Sequence, residues 1–95
     1  MAQMATPGLT SIPAKSTQTA YHVLDGEAVV LDIPAKVIRG LNPVASRVWQ
    51  LVDGRRSLGE IAAMIAEEFA AEQAVVVQDV TAFVSELADK KLLTF

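Results

Sequence analysis

The chain has 95 residues, of which 52% are hydrophobic, with a net charge of −3 and no cysteine. These values exclude a disordered chain, a disulfide-stapled scaffold, thiolate metal sites and cysteine nucleophiles, and the acidic balance argues against a protein whose task is neutralising phosphates. No apolar segment approaches the roughly twenty residues needed to cross a bilayer, and no basic stretch followed by an apolar run opens the chain, so neither a membrane span nor secretion is expected and the cytoplasm is the expected location.

Residues 1–17 carry Pro7, Gly8 and Pro13 among Thr, Ser, Ala and Gln without sustained periodicity. They read as a flexible N-terminal tail, which leaves 18–95 as one domain. Thr19–Leu24 (TAYHVL) has strand-forming residues, Asp25-Gly26 is a common hairpin turn dipeptide, and Glu27–Asp32 is the expected partner strand. The AVVL run inside that partner fits a strand covered on both faces or one in the middle of a small sheet. Ile33-Pro34-Ala35-Lys36 then breaks the ladder, since proline cannot donate to it. Residues 37–41 (VIRGL) form a third short strand, which in a three-stranded antiparallel meander lies at an edge.

Asn42 and Pro43 supply a cap and a first helical residue, and Val44 or Ala45, Val48, Trp49, Leu51 and Val52 repeat at helical spacing until Asp53-Gly54 ends the helix. Ser57 with Glu60 is a capping box that starts a second helix at about Leu58, and Leu58, Ile61, Ala62, Ile65 and Phe69 make its apolar stripe. Trp49 and Phe69 are expected to be core anchors. A third helix spans 75–91, with Val76, Val80, Phe83, Val84 and Leu87 on one side, and the apolar close at 92–95 folds back on the core. The order places the chain in the α+β class. It is a small winged-helix-like domain in which a three-stranded antiparallel N-terminal sheet is followed by a three-helix bundle.

Few residues of the chain point to chemistry. His22 is the only histidine and reads as a strand-surface side chain, since a zinc set would need several carboxylates around it. No serine sits in a nucleophile elbow, Glu67, Glu68 and Asp79 read as solvated charge, and neither a phosphate loop nor a dinucleotide fingerprint is present. No catalytic residue, metal ligand or cofactor is therefore expected, and the protein is not expected to be an enzyme. Winged-helix DNA binding fits the element order but not the side chains. The exposed positions of the third helix include Gln78, Asp79, Glu86 and Asp89 where Arg and Lys would be needed, and the second helix has no Lys or Arg. Arg55 and Arg56 beside Asp53 read as solvated charge. DNA binding, or a regulatory interaction domain, is thus the alternative. The edge at 37–41 is more informative, because unpaired backbone groups there can accept another chain's strand, although Lys36 and Arg39 would also serve simply to protect it from aggregation.

Between about Tyr21 and Leu93 the chain resembles the PqqD family, the small proteins of pyrroloquinoline quinone biosynthesis and related recognition elements for ribosomally made, modified peptides. GEAVVLDIPAKVIRGLN, LNPVASRVWQLVDG, DGRRSLGEIAAMIAEEF and DVTAFVSELADKKLL carry the resemblance by their order and spacing. It implies a three-stranded sheet and three helices in winged-helix style. It also implies a non-catalytic adaptor that binds the leader of a precursor peptide as an added strand and presents it to a radical S-adenosylmethionine maturase. The implied peptide-binding residues are Val37, Ile38, Arg39, Gly40 and Leu41 on the strand and Val76, Val80, Phe83, Val84 and Leu87 on the third helix. The implied partners are the leader peptide and the maturase, with a second copy of the chain as a further candidate and with neither nucleic acid nor membrane. Two features depart from the family pattern: Lys36 stands where relatives usually have glycine, and LNPVASRVWQLVDG looks more like the broad PqqD-like group than the quinone-pathway members.

Overall fold

The computed structural model describes residues 8–95. The sheet forms as its turn chemistry dictates. Strands β2 (Thr19–Leu24) and β3 (Glu27–Asp32) pair antiparallel across a two-residue turn in which Asp25 (φ 54) and Gly26 (φ 78) are both left-handed, the conformation that matches the twist of a tight hairpin. Strand β4 (Val37–Gly40) pairs with β3 in the register Val30↔Arg39 and Leu31↔Ile38. The order β2-β3-β4 puts β3 in the middle and β4 at an edge. Along β3, Ala28 and Val30 are buried while Val29 is 43% exposed, so the AVVL run is covered on one face only and owes its apolar content to its central position. In the turn before β4, Lys36 takes φ 56, a left-handed backbone that costs a non-glycine residue about 1–2 kcal/mol.

The first two helices start at their sequence signals. Helix α1 (Pro43–Leu51) is capped by Asn42, whose Oδ1 accepts from the Ala45 amide at 2.8 Å. Helix α2 (Leu58–Glu68) has both bonds of the Ser57/Glu60 capping box. Helix α3 (Gln73–Asp89) begins two residues earlier than expected and has no side-chain cap at Glu72. Between α1 and α2, Asp53 Oδ1 accepts from the Arg55 and Arg56 amides, both at 2.9 Å, and its Oδ2 accepts from Arg56 Nη1 at 3.1 Å. Those bonds hold the Asp53 carboxyl below its usual range, and they make Arg56 part of the turn rather than free surface charge.

The expected tail is the largest difference. Its residues 1–7 lie outside the described residues, but from Gly8 onward the segment is docked. Strand β1 (Ala14–Lys15) pairs antiparallel with β5 (Leu93–Thr94), and Pro13 is buried. The cause lies in α2, whose first amides need acceptors from outside the helix. Ser11 O accepts from Leu58 N and Leu9 O from Gly59 N, both at 2.9 Å, and a Cβ at position 59 would meet Leu9 O at 3.2 Å, so glycine admits the strap. Lys15 then donates to Val52 O at 2.6 Å with its ammonium 5.1 and 5.3 Å from the ring centres of Tyr21 and Trp49. Burial lowers its pKa, partly offset by Asp53.

The core lies between the inner sheet face and the helices. Trp49 is fully buried at its centre, with Tyr21 edge-on at 5.6 Å and Leu58, Ile61, Ile65 and Val84 also fully buried. Leu92 and Leu93 close it from the C-terminal side, whereas Phe95 is exposed. Phe69 is not an anchor. It is the C-cap of α2 and 41% exposed, because the helix ends before its stripe can carry that ring inward.

One buried hydroxyl joins sheet to helix. Leu41 N donates to Ala28 O at 2.9 Å, extending the β3–β4 ladder, but the return bond is made through Ser46 of α1: Ala28 N donates to Ser46 Oγ at 2.7 Å, which donates to Leu41 O at 3.1 Å. Ser46→Ala would strand a buried amide, and a loss of about 1–3 kcal/mol is expected in denaturant unfolding. Trp49→Ala should cost more, about 3–5 kcal/mol, through the cavity it leaves. An unchanged melting temperature in either variant would contradict this packing.

Candidate functional site

The site is built on the edge of β4. In an antiparallel ladder the backbone groups of successive residues point alternately to the two sides of the strand. Because Leu41 N bonds to Ala28 O, residues 37, 39 and 41 turn their amides and carbonyls toward β3. Ile38 and Gly40 therefore turn theirs to the open edge. Side chains alternate as well, so Ile38 stands on the outer sheet face at 70% exposure, while Arg39, in register with the buried Val30, faces the helices.

Helix α3 runs alongside. Two cavities adjoin it. The first, of ≈520 Å³, lies past the end of β4 and is lined by Asn42, Val44, Ala45 and Val48 of the α1 region and by Asp79, Val80, Ala82, Phe83 and Glu86 of α3. The second, of ≈610 Å³, lies where Asp32, Pro34 and Ala35 of the turn before β4 meet Ala88, Lys90 and Lys91 at the end of α3 and Ser16, Gln18, Leu93 and Thr94 beside the β1–β5 pair. Asp79, Phe83, Glu86 and Lys90 follow helical spacing, so one face of α3 borders both. Charge along this face is graded: Asp79 and Glu86 stand at the α1 end, and Lys90 and Lys91 at the turn end. Lys90 Nζ bonds Glu86 Oε2 at 2.8 Å, and that bond, the lysine charge and, to a smaller degree, Arg39 hold the Glu86 carboxyl below its usual range.

Of the ten expected residues, the structure gathers those on the strand along one edge but divides those on the helix. Val76, Val84 and Leu87 are buried in the core, because the stripe facing Trp49 and α2 uses them for packing. Val80 and Phe83 reach the first cavity. Sequence reasoning counted Val44 or Ala45 in the apolar stripe of the first helix and Asp79 and Glu86 as exposed charge, and did not assign any of them to the cavity they line. The Pro43 helix start could have pointed to the former, since it turns the chain across the end of the edge strand. Among the described residues no group of His, Asp and Glu could hold a metal ion, and none of the helices is long and apolar enough to cross a membrane.

The geometry defines a small α+β domain with antiparallel sheets, three helices and an open strand edge beside a helix-lined groove. The family model described as coenzyme PQQ synthesis protein D (PqqD) matches residues 27–93, and the chain belongs to this family. It is 39% identical over 66 residues to the PqqA binding protein of Gluconobacter oxydans, covering 67% of this chain and 66% of that protein. It is 35% identical over 68 residues to the PqqA binding protein of Bradyrhizobium diazoefficiens, covering 72% and 65%. The match thus spans just under two thirds of these relatives' length. Among solved structures, TbiB1 in complex with the TbiA(beta) leader peptide superposes with a TM-score of 0.78 at 30% identity, covering 84% of this chain and 93% of that one. The PqqD truncation of Methylobacterium extorquens PqqCD, described as a stand-alone recognition element for ribosomally synthesized and post-translationally modified peptides, has the same fold. It superposes with a TM-score of 0.79 at 22% identity, covering 97% and 98%.

The two faces of β4 should respond differently to proline. Ile38→Pro removes an amide that faces the open edge and should cost no more than about 1 kcal/mol. Arg39→Pro removes one that faces β3 and leaves the carbonyl across the ladder without its donor, an added loss of about 1–3 kcal/mol. Equal melting temperatures for the two variants would contradict the assigned alternation.

Proposed function

We propose that this chain is a non-catalytic adaptor, working in the cytoplasm without a cofactor, that binds the leader of a ribosomally made precursor peptide by strand addition to β4 and presents it to a radical S-adenosylmethionine maturase. The observation that carries the reading is the open edge of Ile38 and Gly40 beside an apolar cavity on α3. Main-chain bonds to such an edge supply affinity to any extended segment, and the helix-lined cavity supplies selection among segments. Residues 18–95 act as the binding domain in winged-helix style, with the docked strap at 8–15 bracing α2. The names of the relatives support the same reading, since two are PqqA binding proteins and the structure of TbiB1 holds a leader peptide. DNA binding is disfavoured by Asp79 and Glu86 on α3, whose negative charge would repel phosphate.

The leader peptide of PqqA, titrated into isotope-labelled protein, tests this directly. Amide shifts are expected at 37–41 and along α3, with affinity falling at least about tenfold in Ile38→Pro as an edge bond is lost. Shifts confined to α2 and the Arg55-Arg56 turn, or salt-sensitive binding of mixed duplex DNA at moderate ionic strength, would overturn the proposal.

A further inference from the structure

Resting on that peptide-binding reading, we propose that Arg39 selects the peptide: the groove takes an extended segment that sets a carboxylate side chain against the Arg39 guanidinium and, on the same face, an apolar side chain in the α1–α3 cavity. Arg39 is the one charged residue of β4, and its register with Val30 turns it inward beneath any strand added at the edge. Its Nε is buried and has no hydrogen-bond partner among the described residues. Glu86 does not relieve this. Glu86 feels the arginine's charge, but its Oε2 accepts from Lys90 at 2.8 Å, and Arg39 makes no ion pair with it. An added strand would bond to Ile38 and Gly40 and shut water out from above Arg39, leaving the guanidinium more dependent on an anionic partner. A carboxylate is the group whose two oxygens fit that fork.

The second requirement follows from spacing. Side chains on one face of a strand recur every second residue, about 7 Å apart. The inward positions beyond Arg39 lead past Leu41 to the cavity, whose walls include Val44, Ala45, Val48, Val80 and Phe83. The recognised pattern is therefore an acidic residue with a Leu, Ile, Phe or Tyr two or four positions away. Strand addition in the antiparallel sense, the sense of every ladder in this sheet, puts the apolar residue on the amino-terminal side of the acidic one. The basic end of the groove, Lys90 and Lys91, disfavours a second positive charge on the other flank.

Selection from a phage-displayed library of random twelve-residue peptides tests the proposal whatever the natural ligand is. Against the unaltered protein, enriched peptides should carry Asp or Glu two or four positions after a large apolar residue. Replacing that acid by its amide in a synthetic copy should weaken binding about tenfold, the scale of one charge-assisted pair. Against Arg39→Glu the preference should invert to Lys or Arg. Arg39→Gln, checked by circular dichroism, should lose the preference without inverting it, which keeps the test valid if the charge reversal unfolds the edge. Glu86→Gln should sharpen the acidic preference by removing the competing anion. Peptides that need an intact Ile38 amide yet show no acidic preference, or the same preference in Arg39→Gln, would overturn this inference and leave the groove standing. Enrichment of no peptide, or of peptides indifferent to Ile38→Pro, would overturn the groove and the inference together.

Discussion

The hydroxyl of Ser46 is the constraint on which the rest depends. It completes the final rung of the β3–β4 ladder from within α1, so the end of the edge strand and the start of the first helix are one rigid junction rather than two elements joined by a loop. Without it the Ala28 amide would be buried and unpaired, a cost comparable to a sizeable share of a small domain's stability. With it, Asn42 and Pro43 begin α1 at a fixed angle to β4, and Val44 and Ala45 become a wall of the groove. The edge can then stay open, because its geometry is held from one side and needs no fourth strand.

Helix α3 carries two loads at once. One stripe, Val76, Val80, Val84 and Leu87, closes the core over Trp49 and α2. A neighbouring face, running through Asp79, Phe83 and Glu86, borders the groove. Val80 belongs to both, as expected of a helix wedged between a core and an open cavity. The division also explains why the groove is mixed in character. Positions free of the core can be charged, and they are, with acids toward α1 and lysines toward the β3–β4 turn.

Much of this is legible in the chain because the signals are local. Asn42-Pro43, Asp53-Gly54 and Ser57 with Glu60 each act within four residues, and they set the helix boundaries correctly. The Asp25-Gly26 turn and the edge position of the third strand follow from equally short patterns. What sequence reasoning misses depends on distant partners. The pairing of Ala14 with Thr94 has no periodicity to betray it, and the strap it anchors exists because α2 needs acceptors for Leu58 and Gly59. Phe69 misleads because its spacing continues a stripe beyond the point where the helix stops. On α3, apolar spacing alone cannot separate core from groove, since that split is decided by where β4 and α1 lie in space.

The central claim is that β4 accepts another chain through its outward-facing backbone groups, and amide hydrogen exchange on the protein saturated with a bound leader peptide tests it most directly. The account predicts that Ile38 and Gly40 become strongly protected while Arg39 and Leu41, already bonded within the sheet, change little. Protection at Tyr21 and Val23 on the opposite edge, or within α2, with Ile38 and Gly40 still exchanging freely, would contradict it.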